Sequence, residues 1–180
     1  LALAAAAALP PGLRPGEAAV REGLARVRVP GRFERAGWEG RPVVLDGAHT
    51  AGAARALAAT LADEFPGTPV TLVIGMADDK DVAGIAAALA PGAGRVVATR
   101  SASVRAMDPA VIEAAFADRS VPVTRAETIA DALQFVTGAP GPGTTAGGAG
   151  DGPVVVTGSL ATVAEARVVL GLPGSEYSDP

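Results

Sequence analysis

The chain contains no cysteine among its 180 residues. Disulfide frameworks, thiolate catalysis and cysteine-type zinc sites are therefore excluded. Basic residues are outnumbered by acidic ones, which leaves a formal net charge of -4 at pH 7. Binding to nucleic acids or to anionic membranes depends on a basic surface. We therefore expect neither of these partners.

The chain also lacks an apolar run long enough to span a membrane. The apolar start ends at Leu9, whereas a membrane-spanning helix needs about 20 residues. The start has no initiator methionine and none of the basic residues that begin a signal peptide. This pattern is typical of the end of a helix that begins earlier, and we expect the chain to be a fragment of a longer protein.

Aromatic residues make up only 3% of the chain, although 49% of its residues are hydrophobic. The core must therefore consist of aliphatic side chains, which suits valine-rich buried strands covered by alanine-rich helices. Apolar runs of strand length alternate with such helical segments, as is typical of an α/β domain. We predict strands at 42–46, 70–76, 95–100, 121–125 and 153–157, with a possible antiparallel edge at 32–38, and helices at 17–25, 51–64, 82–89, 109–117, 129–136 and 160–170.

The strands are continuously apolar, which predicts a mostly parallel sheet covered by helices on both faces. Two stretches interrupt the alternation. Residues 1–28 contain a short helix and a proline-rich turn, and we interpret them as the tail of a preceding domain with its linker. The domain itself then comprises residues 29–180. Within it, 138–152 is a low-complexity run rich in glycine and proline, typical of a flexible loop.

Three loops follow apolar strands, at 46–50, 75–81 and 157–159. Because ligands of open α/β sheets bind beyond the carboxyl ends of the strands, we expect these loops to line one functional edge. The middle loop carries Lys80, the only lysine of the chain. Its compact charge suits a carboxylate or a phosphate, but a surface cluster with the neighbouring aspartates is an equally good explanation.

The first loop carries Asp46 and the only histidine, His49. Asp46 could accept hydrogen bonds from ribose hydroxyls or hold a metal-bound water, or it could stabilise the free N–H groups of the next helix. Thr50 is better placed to be that helix cap. His49 could pair with a substrate carboxylate as imidazolium, or satisfy a local carbonyl. One histidine with scattered carboxylates does not make a closed metal site, so we predict no metal ligands in this chain.

The last loop carries Ser159 in a strand-to-helix turn that could cradle a carboxylate or a phosphate. A simple N-cap role for Ser159 explains it equally well. The sequence has no nucleophile elbow of the G-x-S-x-G type, no P-loop and no G-x-G-x-x-G motif after the first strand. These absences disfavour a nucleophilic hydrolase and a phosphate-cradling loop of either standard type.

Four segments occur together in the order and spacing of one known family: 30–34, 43–49, 75–81 and 156–160. Over residues 29–170, the chain resembles the C-terminal domain of the folylpolyglutamate synthase/dihydrofolate synthase enzymes, which are Mur ligase-like. Residues 1–28 are similar to the last helices of that family's central ATPase domain. The resemblance implies a Rossmann-like, mostly parallel sheet of about six strands with an antiparallel edge and helices on both faces.

The resemblance also implies a cytoplasmic ATP-dependent ligase that joins L-glutamate to folate or dihydropteroate through an acyl phosphate. By resemblance, Arg32 and Asp46 contact ATP from across a domain interface, and His49 and Ser159 hold the incoming glutamate. Lys80 lies near the same site, so that His49, Lys80 and Ser159 are the catalytic candidates. The P-loop, the Mg²⁺ ligands and the folate pocket would belong to the N-terminal ATPase domain of the same chain, and this fragment alone would be inactive.

Two other functions fit the same residues. The chain could belong to a Mur-type ligase with a different substrate, such as a cell-wall precursor. It could also be a non-catalytic Rossmann-like module that binds a nucleotide or an amino acid.

Overall fold

One mixed sheet forms the centre of the molecule. The structure is a computed structural model that describes residues 2–137 and 152–174, so that all but the last residue of the predicted loop 138–152 lies outside the described residues. In the described part of the chain, six strands pair in the order β1-β2-β6-β3-β4-β5. They are β1 (Glu34–Trp38), β2 (Arg41–Leu45), β3 (Val70–Ile74), β4 (Ala93–Ala98), β5 (Val123–Arg125) and β6 (Val154–Thr157).

Only β1 and β2 pair antiparallel, and the other neighbouring strands of this sheet are parallel. The described helices are α1 (Ala2–Ala8), α2 (Glu17–Arg26), α3 (Ala51–Glu64), α4 (Val82–Leu89), α5 (Pro109–Ala117), α6 (Ile129–Thr137) and α7 (Leu160–Val169), with short 3-10 helices at Pro11–Leu13 and Ala90–Gly92. The predicted mostly parallel sheet with an antiparallel edge is confirmed.

The two faces of the sheet carry separate cores. Helices α3, α4 and α5 pack on one face, where Phe116 is the largest fully buried side chain. Helices α6 and α7 pack on the opposite face, against alternate residues of the same strands. Within β3, for example, Leu72 and Ile74 face the first core and Val73 faces the second. Burial of each such side chain is worth roughly 1.5–3 kcal/mol, and this two-sided burial explains the continuously apolar strands.

Each of the six strands differs from its predicted bounds by one or two residues at one end or both, and β3 and β4 show the cause. β4 begins at Ala93 instead of at residue 95, because a bulge shifts the register so that Val70 pairs with Ala93 and Thr71 with Arg95. β3 ends at Ile74 instead of at residue 76. These ends follow from local pairing that periodicity in the sequence does not encode.

The amino-terminal segment remains at the surface. Helix α2 buries none of its residues, and Leu13, Leu24 and Val27 are exposed. A boundary at residues 28–29 between a preceding domain and this one stays a prediction. None of the helices in residues 2–137 and 152–174 has the length and apolarity needed to cross a membrane.

Candidate functional site

Three turns meet at the carboxyl edge of the sheet, where β6 lies between β2 and β3. The chain leaves β2 and β3 for helices on one face and leaves β6 for α7 on the other face. In parallel sheets, such reversals open a crevice at the strand ends, where ligands bind. The structure therefore brings the loops 46–50, 75–81 and 157–159 together at one edge, which we call the rim.

Hydrogen bonds tie the three turns of the rim to one another. The amide of Gly158 donates to the carbonyl oxygen of Ala48 at 3.1 Å, and the amide of Gly75 donates to that of Thr157 at 3.2 Å. The hydroxyl of Thr162, on α7, donates to the Gly75 carbonyl oxygen at 2.8 Å. These hydrogen bonds hold the backbone of the three turns in fixed positions relative to one another.

Asp46 is half-buried and already holds two backbone amides. Its Oδ2 accepts from the amide of Phe33 at 2.8 Å, and its Oδ1 accepts from that of Ala48 at 2.9 Å. Asp46 does not cap the next helix, because Thr50 accepts from the amide of Ala53 at 3.2 Å in that role, as predicted. A carboxylate oxygen can accept more than one hydrogen bond, so Asp46 retains capacity for a ligand hydroxyl.

Arg32 lies in the turn that leads into β1 and is exposed. Its Nη1 donates to the carbonyl oxygen of Gly31 at 3.2 Å, and the same oxygen accepts from the amide of Gly47 at 2.9 Å. A Cβ at Gly47 would lie 2.7 Å from Nη1 of Arg32 and 2.5 Å from Cδ2 of Leu160. A side chain at this position would therefore force the ends of the Arg32 and Leu160 side chains to move, although the φ of Gly47 is not positive.

His49 is half-buried, and its Nδ1 lies 2.7 Å from the carbonyl oxygen of Gly47. Because a carbonyl oxygen can only accept, Nδ1 carries the proton of this bond. The local carbonyl that the sequence offered as one explanation for this histidine is therefore present. Nε2 is the ring nitrogen left for a ligand: it accepts when the ring is neutral and donates when the ring is an imidazolium.

Ser159 is the N-cap of α7. Its Oγ accepts from the amide of Thr162 at 3.0 Å and lies 2.9 Å from the Oγ1 of the same residue. The cap role weighed from the sequence is confirmed. It places Ser159 at the positive end of the helix dipole, where a negatively charged group is favoured.

Lys80 forms an ion pair with Asp79 at 3.2 Å, and Arg105 approaches the same carboxylate oxygen at 3.0 Å. The hydrogen bond from Lys80, with the charges of Lys80 and Arg105, holds the pKa of the Asp79 carboxyl below its usual range. Asp81 instead caps α4, accepting from the amide of Gly84 at 2.9 Å. Of the neighbouring aspartates considered as partners of Lys80, Asp79 is thus paired with it, whereas Asp81 has a different role.

One charged pair next to the rim was not predicted from the sequence. Arg167 of α7 is only 7% exposed and forms an ion pair with Glu34 of β1. The other carboxylate oxygen of Glu34 accepts from the amide of Gly31 at 2.8 Å, and so holds the turn that carries Arg32. Helical spacing could have indicated this pair, because Arg167 occupies the buried stripe with Val163 and Ala166.

The described residues do not assemble a metal site. No group of three or more histidine, aspartate or glutamate side chains in 2–137 and 152–174 is placed to hold a metal ion. Each carboxylate oxygen of Asp46 also accepts one backbone amide, and no second carboxylate stands beside Asp46 to complete a ligand set within the described residues. The residues present therefore do not fit a resident Mg²⁺.

Known proteins are similar to this chain in both sequence and fold. The family model for the Mur ligase, glutamate ligase domain, matches residues 31–160. A dihydrofolate synthase/folylpolyglutamate synthase of Mycobacterium tuberculosis is 38% identical over 161 residues, which cover 85% of this chain and 33% of the relative. The resemblance drawn from the four sequence segments is confirmed.

Two solved structures extend the comparison. Mycobacterium tuberculosis folylpolyglutamate synthase, complexed with ADP and AMPPCP, has a TM-score of 0.74 and 37% identity over 89% of this chain and 36% of its own. The bifunctional folylpolyglutamate synthase/dihydrofolate synthase of Yersinia pestis, complexed with AMPPNP and Mn ion, has a TM-score of 0.71 and 27% identity over 92% of this chain and 36% of its own. The chain spans about a third of the length of these relatives. It belongs to the Mur ligase family, of which it carries the glutamate ligase domain.

Proposed function

We propose that this chain is the glutamate-ligase part of an ATP-dependent enzyme that adds L-glutamate to folate or dihydropteroate. The observation that carries the proposal is the rim, where hydrogen-bonded turns present Asp46, His49 and Ser159 beside Arg32. ATP and glutamate together need cationic, N–H and hydroxyl partners at one place. The relatives complexed with ADP, AMPPCP or AMPPNP support a nucleotide, and the one with Mn ion supports a divalent metal in the complete enzyme.

The reaction proceeds in two steps, phosphoryl transfer and then amide formation. A carboxylate oxygen of the folate or pteroate substrate attacks the γ-phosphorus of ATP, and ADP leaves with the electrons of the broken P–O bond. The amine nitrogen of glutamate then attacks the carbonyl carbon of the acyl phosphate. The C–O bond breaks, inorganic phosphate leaves, and the nitrogen loses a proton to give the amide.

Each candidate residue contributes by contact and orientation. Arg32 and Asp46 contact ATP from across a domain interface, Arg32 through charge and Asp46 through its remaining acceptor capacity. His49 and Ser159 hold the glutamate, and Lys80 adds positive charge near the same place. Closure of the two domains would exclude the water that hydrolyses an acyl phosphate.

The division of the chain is part of the proposal. Residues 1–28 are the tail of the central ATPase domain with its linker, and 29–180 form the ligase domain. ATP phosphates, Mg²⁺ and the folate substrate are held mainly by the ATPase domain, so this chain alone is inactive. The complete enzyme is cytoplasmic.

The test is a ligation assay on the complete enzyme, which measures ADP release and incorporation of glutamate into dihydropteroate or a folate. His49→Ala should lower ligation about 100-fold or more, as expected for losing a group that positions a reactant. Thr60→Ala, an exposed change further along α3, should leave ligation unchanged.

Other outcomes separate the alternatives. Extension of a cell-wall precursor in place of folate would assign the chain to another Mur-type ligase. ATP or glutamate binding without ADP release would indicate a non-catalytic module. Equal activity of His49→Ala and the parent enzyme would remove His49 from the mechanism.

A further inference from the structure

The turn that carries Arg32 has an unfavourable backbone conformation. The residues on both sides of Arg32 have positive φ values, 67° for Gly31 and 43° for Phe33. Glycine adopts such a φ at little cost, but phenylalanine rarely does, because its side chain is crowded by the backbone there. A conformation of this kind persists only where the surroundings hold it. The turn therefore depends on its contacts with the rest of the domain.

Two carboxylates supply these contacts. The amide of Gly31 donates to Oε2 of Glu34, and the amide of Phe33 donates to Oδ2 of Asp46, both at 2.8 Å. Hydrogen bonds to a charged acceptor are stronger than those to a neutral one. The turn is thus held by a charged group on each side of Arg32.

Arg167 in turn holds Glu34. It lies on α7, is 7% exposed and pairs with Oε1 of Glu34, which leaves Oε2 for the amide of Gly31. Arg167 also donates to the carbonyl oxygen of Pro173, so that its guanidinium is fixed at two points. A carboxylate beside a buried, permanently charged cation does not turn toward water without leaving that cation unpaired. The buried ion pair therefore fixes the carboxylate that holds the turn.

We propose that Glu34 and Arg167 are positioning residues that hold the exposed side chain of Arg32 where it contacts ATP. This inference rests on the proposed function, which assigns ATP to Arg32, and it adds the buried pair on which that contact depends. A flexible side chain loses conformational freedom when it binds a ligand, and a fixed backbone origin reduces this loss. Without the pair, the turn would relax and Arg32 would bind ATP less tightly.

The glutamate side of the rim does not depend on this pair. Its turns, at 46–50 and 157–159, are joined by the hydrogen bond from the amide of Gly158 to the carbonyl oxygen of Ala48. Neither member of the ion pair takes part in that bond. Loss of the pair should therefore weaken the binding of ATP and leave the binding of glutamate unchanged.

The experiment is a double-mutant cycle in the complete enzyme, with the KM for ATP and the KM for glutamate as readouts. Arg32→Ala should raise the KM for ATP about ten-fold, as for loss of one hydrogen bond to a charged group. Glu34→Ala should raise it about five-fold, because Arg32 is present but displaced. If Glu34 acts through Arg32, the double variant should resemble Arg32→Ala, whereas independent effects would multiply to about 50-fold. The KM for glutamate should not change in any of these variants.

A merely structural role would not give this pattern. A partly unfolded population lowers the amount of active enzyme, and so the apparent kcat, without changing the KM. The control is Glu113→Ala, because Glu113 pairs with Arg125 of β5 at 3.1 Å, at the opposite edge of the sheet from β1. Both KM values should stay at those of the parent in this control. If Glu34→Ala does not fold, Arg167→Met removes the partner of Glu34 and replaces it in the cycle with the same expectations.

An unchanged KM for ATP in Glu34→Ala overturns the inference, and so does an equal rise in the KM for glutamate or a double variant near the product of the single effects. These results leave the proposed function intact, provided that Arg32→Ala raises the KM for ATP. An unchanged KM in Arg32→Ala removes the ATP contact of Arg32, and the inference with it. A parent enzyme that releases no ADP with glutamate and dihydropteroate or folate contradicts the proposed function itself.

Discussion

Arg167→Met should destabilise this domain far more than the loss of an ordinary surface ion pair. The Arg167 side chain is 9% exposed, and it donates to the Glu34 carboxylate and to the carbonyl oxygen of Pro173. Methionine keeps much of the aliphatic volume of arginine, so packing losses are small. The substitution therefore removes the cation beside Glu34 together with the hydrogen bond to the Pro173 carbonyl oxygen.

The magnitude follows from the burial of the two partners. Removing one member of a fully buried pair costs about 3–5 kcal/mol. Glu34 is 22% exposed in its side chain and reaches some water, so we expect about 2–3 kcal/mol. For a chain of this length, each 1 kcal/mol shifts Tm by about 2–4 °C. The predicted fall in Tm is therefore about 4–12 °C.

Thermal unfolding followed by circular dichroism measures this effect. The matched control is Arg21→Met, since Arg21 pairs with Glu17 at 2.8 Å on α2 and both side chains are more than three-quarters exposed. Exposed pairs contribute about 0–1 kcal/mol, so its Tm should fall by no more than about 4 °C and by less than that of Arg167→Met. If both variants melt at the temperature of the parent chain, the Arg167 pair carries no stability and our reasoning about its burial is wrong.

Three further predictions concern the rim and its surroundings. Ser159→Ala and Thr128→Ala each remove a hydroxyl that accepts a hydrogen bond from the backbone amide three residues later, at 3.0 and 3.1 Å respectively. Each substitution should lower the free energy of unfolding, measured in urea, by about 1 kcal/mol. Only Ser159→Ala should raise the KM of the complete enzyme for glutamate. Lys80→Met should raise the depressed pKa of the Asp79 carboxyl toward its usual range. An unchanged NMR titration of that carboxyl would contradict this, and the stability that the depressed pKa contributes should be lost as pH falls through it. Gly158→Ala should cost about 3 kcal/mol or more in urea unfolding, because the new Cβ would lie 2.5 Å from a backbone carbonyl oxygen at a φ of 101°; wild-type stability would refute it.

The sequence predicted the elements of the fold well because their cause is local. Continuous apolar runs specify strands buried on both faces, and side-chain caps such as Thr50 and Ser159 mark helix starts. The rim could be predicted for a similar reason, since the carboxyl ends of parallel strands share one edge whatever their order. That rule needs no knowledge of which strand lies next to which.

The partners of the site residues could not be predicted, because they depend on the strand order. β6 is the last strand in the chain, yet it inserts between β2 and β3. This insertion brings Ala48 to Gly158 and Gly75 to Thr162, pairs separated by about half of the chain. The bulge that moves the start of β4 has the same origin, because it depends on pairing with β3.

The structural and functional explanations weighed for each candidate residue prove compatible. Asp46 holds two amides, His49 a carbonyl oxygen and Ser159 a helix terminus, and each keeps hydrogen-bonding capacity for a ligand. Anchoring each group to the backbone of the rim fixes its position before a ligand arrives, which is the condition for precise orientation of reactants. Substitution of any of them therefore changes stability and ligation together, and a role in the reaction can be assigned only where the kinetic loss exceeds that of a matched cap such as Thr128.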